Sequence, residues 1–166
     1  MRILKFGIIF IILSSGALAA ENAIDLAVGE LSKAEGVGKD WFEEVSIRKA
    51  GDKVILKFTR SLGEGGDEIC TSTYRKSGVL MELDCNSEYV AHSMGPENKQ
   101  FKTHLKREFD QSGKLVQVSG HRLAVRLDNK KRVEDRELRS MSDPVVDDSM
   151  HPVKKLSPAI LSAATP

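Results

Sequence analysis

The sequence predicts an α+β domain, an N-terminal amphipathic helix packed on an antiparallel β-meander of about six strands, ending in a disordered C-terminal tail. Three observations lead there. Residues 21–34 carry apolar side chains at helical spacing. From Val45 onward the apolar period becomes two, and glycine-containing turns interrupt it. Beyond Ser142, Pro144, Pro152, Pro158 and Pro166 break the chain and periodicity disappears.

The chain opens with Arg2 and Lys5 ahead of an apolar run from Phe6 to Leu13, then the small-residue stretch Ala17-Leu18-Ala19. This is the pattern of a secretory signal peptide, residues 1–19, cleaved before Ala20. The run breaks at Ser14-Ser15-Gly16 and meets Glu21 and Asp25, so it falls short of the roughly 20 apolar residues that a spanning helix needs. No cysteine lies at the cleavage region to carry a lipid. Taking 19 residues from 166 leaves 147, the size of a single domain, read here as a folded part at 20–141 and a flexible tail at 142–166. The expected location is periplasmic or secreted. The absence of an N-x-S/T sequon favours the periplasm.

Within the helix, Ala23, Ile24, Ala27, Val28, Leu31 and Ala34 gather on one face, and Gly36-Val37-Gly38 ends it. Trp41 and Phe42 follow, as the side chains expected to plug the helix onto the sheet. Val45 and Ile47, then Val54, Leu56 and Phe58, alternate on either side of Ala50-Gly51 as a first hairpin. The glycine-rich loop at 62–68 is no phosphate cradle. Glu68 stands where the last glycine of G-x-G-x-x-G belongs, no helix follows, and the acidic residues repel phosphate.

Residues 74–81 and 109–116 share an aromatic residue, a Ser-Gly turn and a Leu-apolar pair, which is shared turn chemistry and not a repeat array. A pivot between Ser77 and Gly78 opposes Tyr74 to Met81, Ser72 to Leu83 and Cys70 to Cys85. The chain's two cysteines then form a cross-strand disulfide, as an oxidising compartment favours. A three-residue loop with a glycine bulge is the competing geometry, and it would put the cysteines on opposite faces. In the third hairpin the same pivot sets Leu105 against Gly120 and His104 against His121. At Gly120 the apolar phase slips from Val116 and Val118 to Leu123, Val125 and Leu127, which predicts a β-bulge there. Residues 132–141, rich in Arg and Glu, read as a last edge strand in preference to a helix.

Composition, 40% hydrophobic and 30% charged, is that of an ordinary globular domain. After signal removal the net charge is −1, so no nucleic-acid partner is expected. The distribution is polarised: residues 20–98 carry net −6 and residues 99–139 net +6. Two readings compete, a basic surface for polyanions or acidic strands lying beside basic ones and pairing across the sheet.

Common enzyme signatures are missing: there is no G-x-S-x-G, H-E-x-x-H, C-x-x-C or Walker loop. His92, His104, His121 and His151 do not cluster with the cysteines at zinc-ligand spacing. No catalytic residue, metal site or cofactor is assigned. The reading is an exported, non-catalytic binding or accessory protein. Lys102, Lys106, Arg122 and Arg126 would form a basic strand face for an anionic envelope polymer, a lipid head group or an acidic protein. The facing of Arg122 and Arg126 depends on the bulge at Gly120. Two alternatives stand beside it: a small exported enzyme with a site near His104 and His121, and a protein-interaction subunit docking through a sheet edge or through residues 153–161 of its tail.

Overall fold

The computed structural model describes residues 12–63, 65–92, 98–147 and 151–164, without the side chains of residues 12–19 and 147. Helix α1 (Ile12–Glu35) leads through a 3-10 turn (Lys39–Trp41) into seven strands: β1 (Phe42–Ala50), β2 (Lys53–Ser61), β3 (Gly66–Arg75), β4 (Leu80–Ala91), β5 (Lys99–Phe109), β6 (Leu115–Arg126) and β7 (Arg132–Leu138). The strands pair in sequence order as one antiparallel sheet. Two short helices follow, α2 (Pro144–Asp147) and α3 (Pro158–Ala163). A helix on an antiparallel meander is therefore present, with the Arg- and Glu-rich segment supplying the seventh strand.

Residues 1–11, which carry the start of the expected signal, lie outside the described residues. The described buried side chains of α1, Ala23, Ala27 and Leu31, all follow the expected cleavage point. Two of them are alanines, which lets the helix sit close to the sheet. Gly36 ends α1 with a φ of +70°, and Val37 N–H returns to the Ser32 carbonyl at 3.1 Å. Among the described residues no helix is long and apolar enough to cross a membrane. Of the two aromatic residues expected as a plug, only Phe42 is buried. It meets Phe58 edge-on with ring centroids 5.9 Å apart, while Trp41 is exposed.

Both later hairpins combine a glycine-bulge loop with the register expected from the Ser-Gly pivot, the two geometries that competed for the first of them. At the tip of β3–β4, Gly78 takes a φ of +84°, its N–H bonds Arg75 O at 2.8 Å, and Arg75 N–H bonds Val79 O at 2.9 Å. This glycine-bulge loop opposes Tyr74 to Leu80, not Met81. Met81 is then an extra residue in its strand, and beyond it the register opposes Ser72 to Leu83 and Cys70 to Cys85. The β5–β6 hairpin repeats the device: Phe109 opposes Leu115, Val116 is extra, and Leu105 meets Gly120 while His104 meets His121. The Cys70–Cys85 disulfide joins directly opposed residues whose Cα atoms are 4.2 Å apart.

The bulge expected at Gly120 lies instead at Val116; pairing runs unbroken through Gly120. The apolar phase slips because β6 changes which face it makes apolar. Val118 is buried on the inner face, whereas the inner positions after Gly120 hold Arg122, Ala124 and Arg126. Glycine is required there by close approach: a Cβ would lie 2.2 Å from His104 O and 3.1 Å from Leu105 Cα. Because backbone cannot yield as a side chain does, Gly120→Ala is expected to cost about 1–3 kcal/mol of stability in urea unfolding. A cost within experimental error would mean that β5 and β6 do not approach this closely.

The described residues beyond Ser142, a stretch expected to be disordered, return to the core. Arg136 grips Asp143 through both terminal nitrogens, and Val146 is buried with Leu105, Val118 and Leu138. Lys155 bridges Val79, and Val153, Leu156, Ile160 and Ala164 enter the main core with Leu31 and Leu80. Ser157 caps α3 with Pro158 in its first turn. Prolines remove periodicity without preventing burial, which is why pattern alone misread this segment. Residues 153–161 do dock, but on their own domain.

Candidate functional site

Rows of side chains cross the inner face, since opposed residues in antiparallel register share a face. One row is apolar: Phe58, Cys70, Cys85, Leu105, Gly120 and Leu138. The next is polar: Arg60, Glu68, Ser87, Thr103, Arg122 and Arg136. Beyond it run Gly66, Tyr89, Phe101, Ala124 and Glu134. The apolar row belongs to the core. Over the polar row lies a hollow of about 170 Å³, walled by Arg60, Glu68, Tyr89 and Arg122 and by the apolar Leu62, Leu105 and Val145.

The charges around this hollow are unusually buried. Glu68 is 6% exposed, and burial pushes its carboxyl above the usual carboxylate range against the opposing pull of Arg60 and Arg107. Arg60 reaches Glu35 at 2.5 Å through Nη1 and Glu68 at 2.7 Å through Nη2. The second contact is an ion pair without the alignment of a full hydrogen bond. Arg107 on β5 is 5% exposed, and burial pushes its guanidinium down while Glu68 and Glu35 pull it back up. Among the described residues Arg60 Nε, Arg107 Nε and Nη2, and Arg122 Nε are buried with no hydrogen-bond partner. Unpaired buried donors of this kind are costly. Those of Arg60 and Arg122 line the hollow and call there for a ligand or ordered water, whereas Arg107, opposed to Leu83 and Val118, lies on the other side of the apolar row.

Arg122 is held in place by its neighbours. Its Nη2 donates to Tyr89 Oη at 3.1 Å, its guanidinium carbon stands 4.5 Å over the Phe101 ring, and its Nε lies 3.4 Å from Glu134. Tyr89 and Phe101 stack with centroids 5.0 Å apart. Arg136 bonds Glu134 and Asp143, and Asp143 accepts the Val145 N–H at 3.0 Å, which positions α2 at the rim.

The four basic residues singled out in the sequence do not form one face. Lys102 and Lys106 lie on the outer face, Arg122 and Arg126 on inner positions. Outside, Lys102 pairs with Glu88 at 3.0 Å, and Lys106 with Glu82 and Glu108 at 2.9 and 3.3 Å. Basic β5 thus lies beside acidic β4 and pairs across it. Arg126 bonds Asp128 at the strand end. His104 and His121 are opposed by register, yet each bonds a carboxylate: His104 Nε2 lies 2.9 Å from Asp84 and His121 Nε2 2.6 Å from Asp135. Both are half exposed on a broad outer groove of about 830 Å³. A possible three-ligand metal group among the described residues, Glu68 with Cys70 and Cys85, is closed because the disulfide uses both sulfurs.

The sequence reading missed Arg60, Glu68 and Arg107. The signal was present in strand phase: Arg60 follows the inward Val54, Leu56 and Phe58, Glu68 shares phase with Cys70, and Arg107 lies between Leu105 and Phe109. A charge in the inward phase of a strand marks a buried polar site. Comparison with family models, with curated proteins and with solved structures finds no match to this chain.

Proposed function

We propose that this chain is an exported, non-catalytic binding protein, periplasmic or secreted, whose inner-face hollow takes the anionic group of its ligand. The observation that carries this reading is the pair of buried Nε atoms, of Arg60 and Arg122, without hydrogen-bond partners at a polar hollow. The signal-like start and the buried disulfide support export. Of the four basic residues read from the sequence, Arg122 is the one at the hollow. Lys102 and Lys106 already have carboxylate partners in water, where such pairs contribute little and attract little further charge. At about 170 Å³ the hollow is smaller than the roughly 300 Å³ and upward of drug-sized sites, so a polymer or protein could insert only a narrow terminal group.

Arg122→Gln tests the assignment by calorimetric titration with sodium propionate. Losing one charged donor is expected to weaken binding about tenfold to a hundredfold. Unchanged binding by Arg122→Gln, with loss in Lys102→Gln/Lys106→Gln, would move the site to the outer face and overturn the reading. The enzyme alternative draws on the two imidazole–carboxylate pairs. Their open outer position does not exclude water as reaction chemistry favours, so binding is the stronger reading.

A further inference from the structure

Resting on that reading, we infer that the hollow binds a short-chain monocarboxylic acid as its carboxylate and takes up one proton on Glu68 as it does so. The geometry supplies a place for each part. Arg60 spends Nη1 on Glu35, leaving its Nε–Nη2 edge, with Nε unpartnered and Nη2 facing the poorly aligned Glu68. That edge is the one that receives a carboxylate through two parallel N–H···O bonds. Glu68 therefore stands in the ligand-free protein where a ligand carboxylate would go. A short alkyl chain has Leu62, Leu105 and Val145 to lie against.

Charge balance requires the proton. Facing Glu68 or lining the same hollow are Glu35 from α1, Arg60 from β2, Tyr89 from β4, Arg107 from β5 and Arg122 from β6, with Glu134 of β7 behind Arg122. Arg136 shares Glu134 with Arg122 and holds Asp143, so Arg60, Arg107, Arg122 and Arg136 are balanced by Glu35, Glu68, Glu134 and Asp143. A further carboxylate would leave one uncompensated negative charge in a poorly solvated place, which proteins avoid by moving a proton. Glu68 is the group to receive it, because burial already favours its neutral form. A proton from solvent on Glu68 restores the balance and releases Arg60 Nη2 to the ligand. A dianion would need a second proton, and among the described residues no second carboxylate lines the hollow beside Glu68.

Titration calorimetry of the full chain with sodium propionate, in two buffers of different ionisation enthalpy and upward from neutral pH, counts the protons directly. The expected result is about one proton taken up per propionate and an affinity that falls about tenfold per pH unit above the pH at which Glu68 titrates. Glu68→Gln is expected to bind propionate with no proton uptake and no such slope. Propionate binding without proton uptake would overturn the coupling and leave the anion site standing. No binding at any pH tested would overturn both readings. Methylphosphonate dianion binding as tightly as propionate would overturn the carboxylate class. The proton count on the wild-type chain decides the matter even if Glu68→Gln does not fold.

Discussion

Leu156→Ala is expected to lower the free energy of unfolding by about 2–5 kcal/mol, read as a shift of the urea midpoint at unchanged slope. Leu156 is 1% exposed, and its backbone is fixed on both sides: its N–H bonds Gly78 O at 2.9 Å, and Leu80 N–H bonds Lys154 O at 3.0 Å. Its side chain lies in the core that also holds Leu31, Tyr74 and Ile160. Collapse around the missing atoms is restricted, because α1 and the β3–β4 turn are both tied elsewhere. For a domain whose total stability is about 5–15 kcal/mol, such a loss is a large share of the whole. The exposed Ser162→Ala in the same segment is expected to change stability by less than about 0.5 kcal/mol. Equal, negligible effects from the two variants would show that the C-terminal segment does not pack.

Replacing both cysteines by alanine is expected to cost about 3 kcal/mol, the loop-closure value for a bridge spanning 15 residues. The double variant avoids leaving a lone thiol in the core, so the comparison with the oxidised chain isolates the cross-link and the two lost sulfurs. Both cysteines are buried, and Cys85 also lines the hollow, with Glu68 and Ser87 in the neighbouring row. Weakened propionate binding should therefore accompany the loss of stability. A double variant as stable as the parent would show that strand pairing alone holds β3 and β4 in register.

Much of the architecture was legible because its signals are local. The 3.6-residue spacing from Ala23 to Leu31 marks α1, the two-residue spacing from Val54 to Phe58 marks β2, and two Ser-Gly turns mark the later hairpins. The disulfide followed by counting from a turn, although both pivot and bulge were needed to reach the observed register. Less of the site was legible. Lys102 and Arg122 are both basic and lie on adjacent strands, yet one faces water and a carboxylate while the other faces a buried hollow. Charge composition does not carry facing, and facing decides what a charge can do.

The sequence by itself determined the elements and their order: a helix, then strands alternating about tight glycine turns, with two cysteines placed to meet. These depend on near neighbours, whose spacing the chain carries directly. Tertiary structure alone decided that residues 153–164 close the core, since their burial depends on surfaces presented by α1 and the β3–β4 turn more than 70 residues away in sequence. It also decided that Arg60, Glu68 and Arg122 line one hollow, with Arg107 acting on Glu68 from beyond the apolar row. They come from four strands joined only by pairing register, and each row of that register is a sum of turns and bulges along the whole sheet.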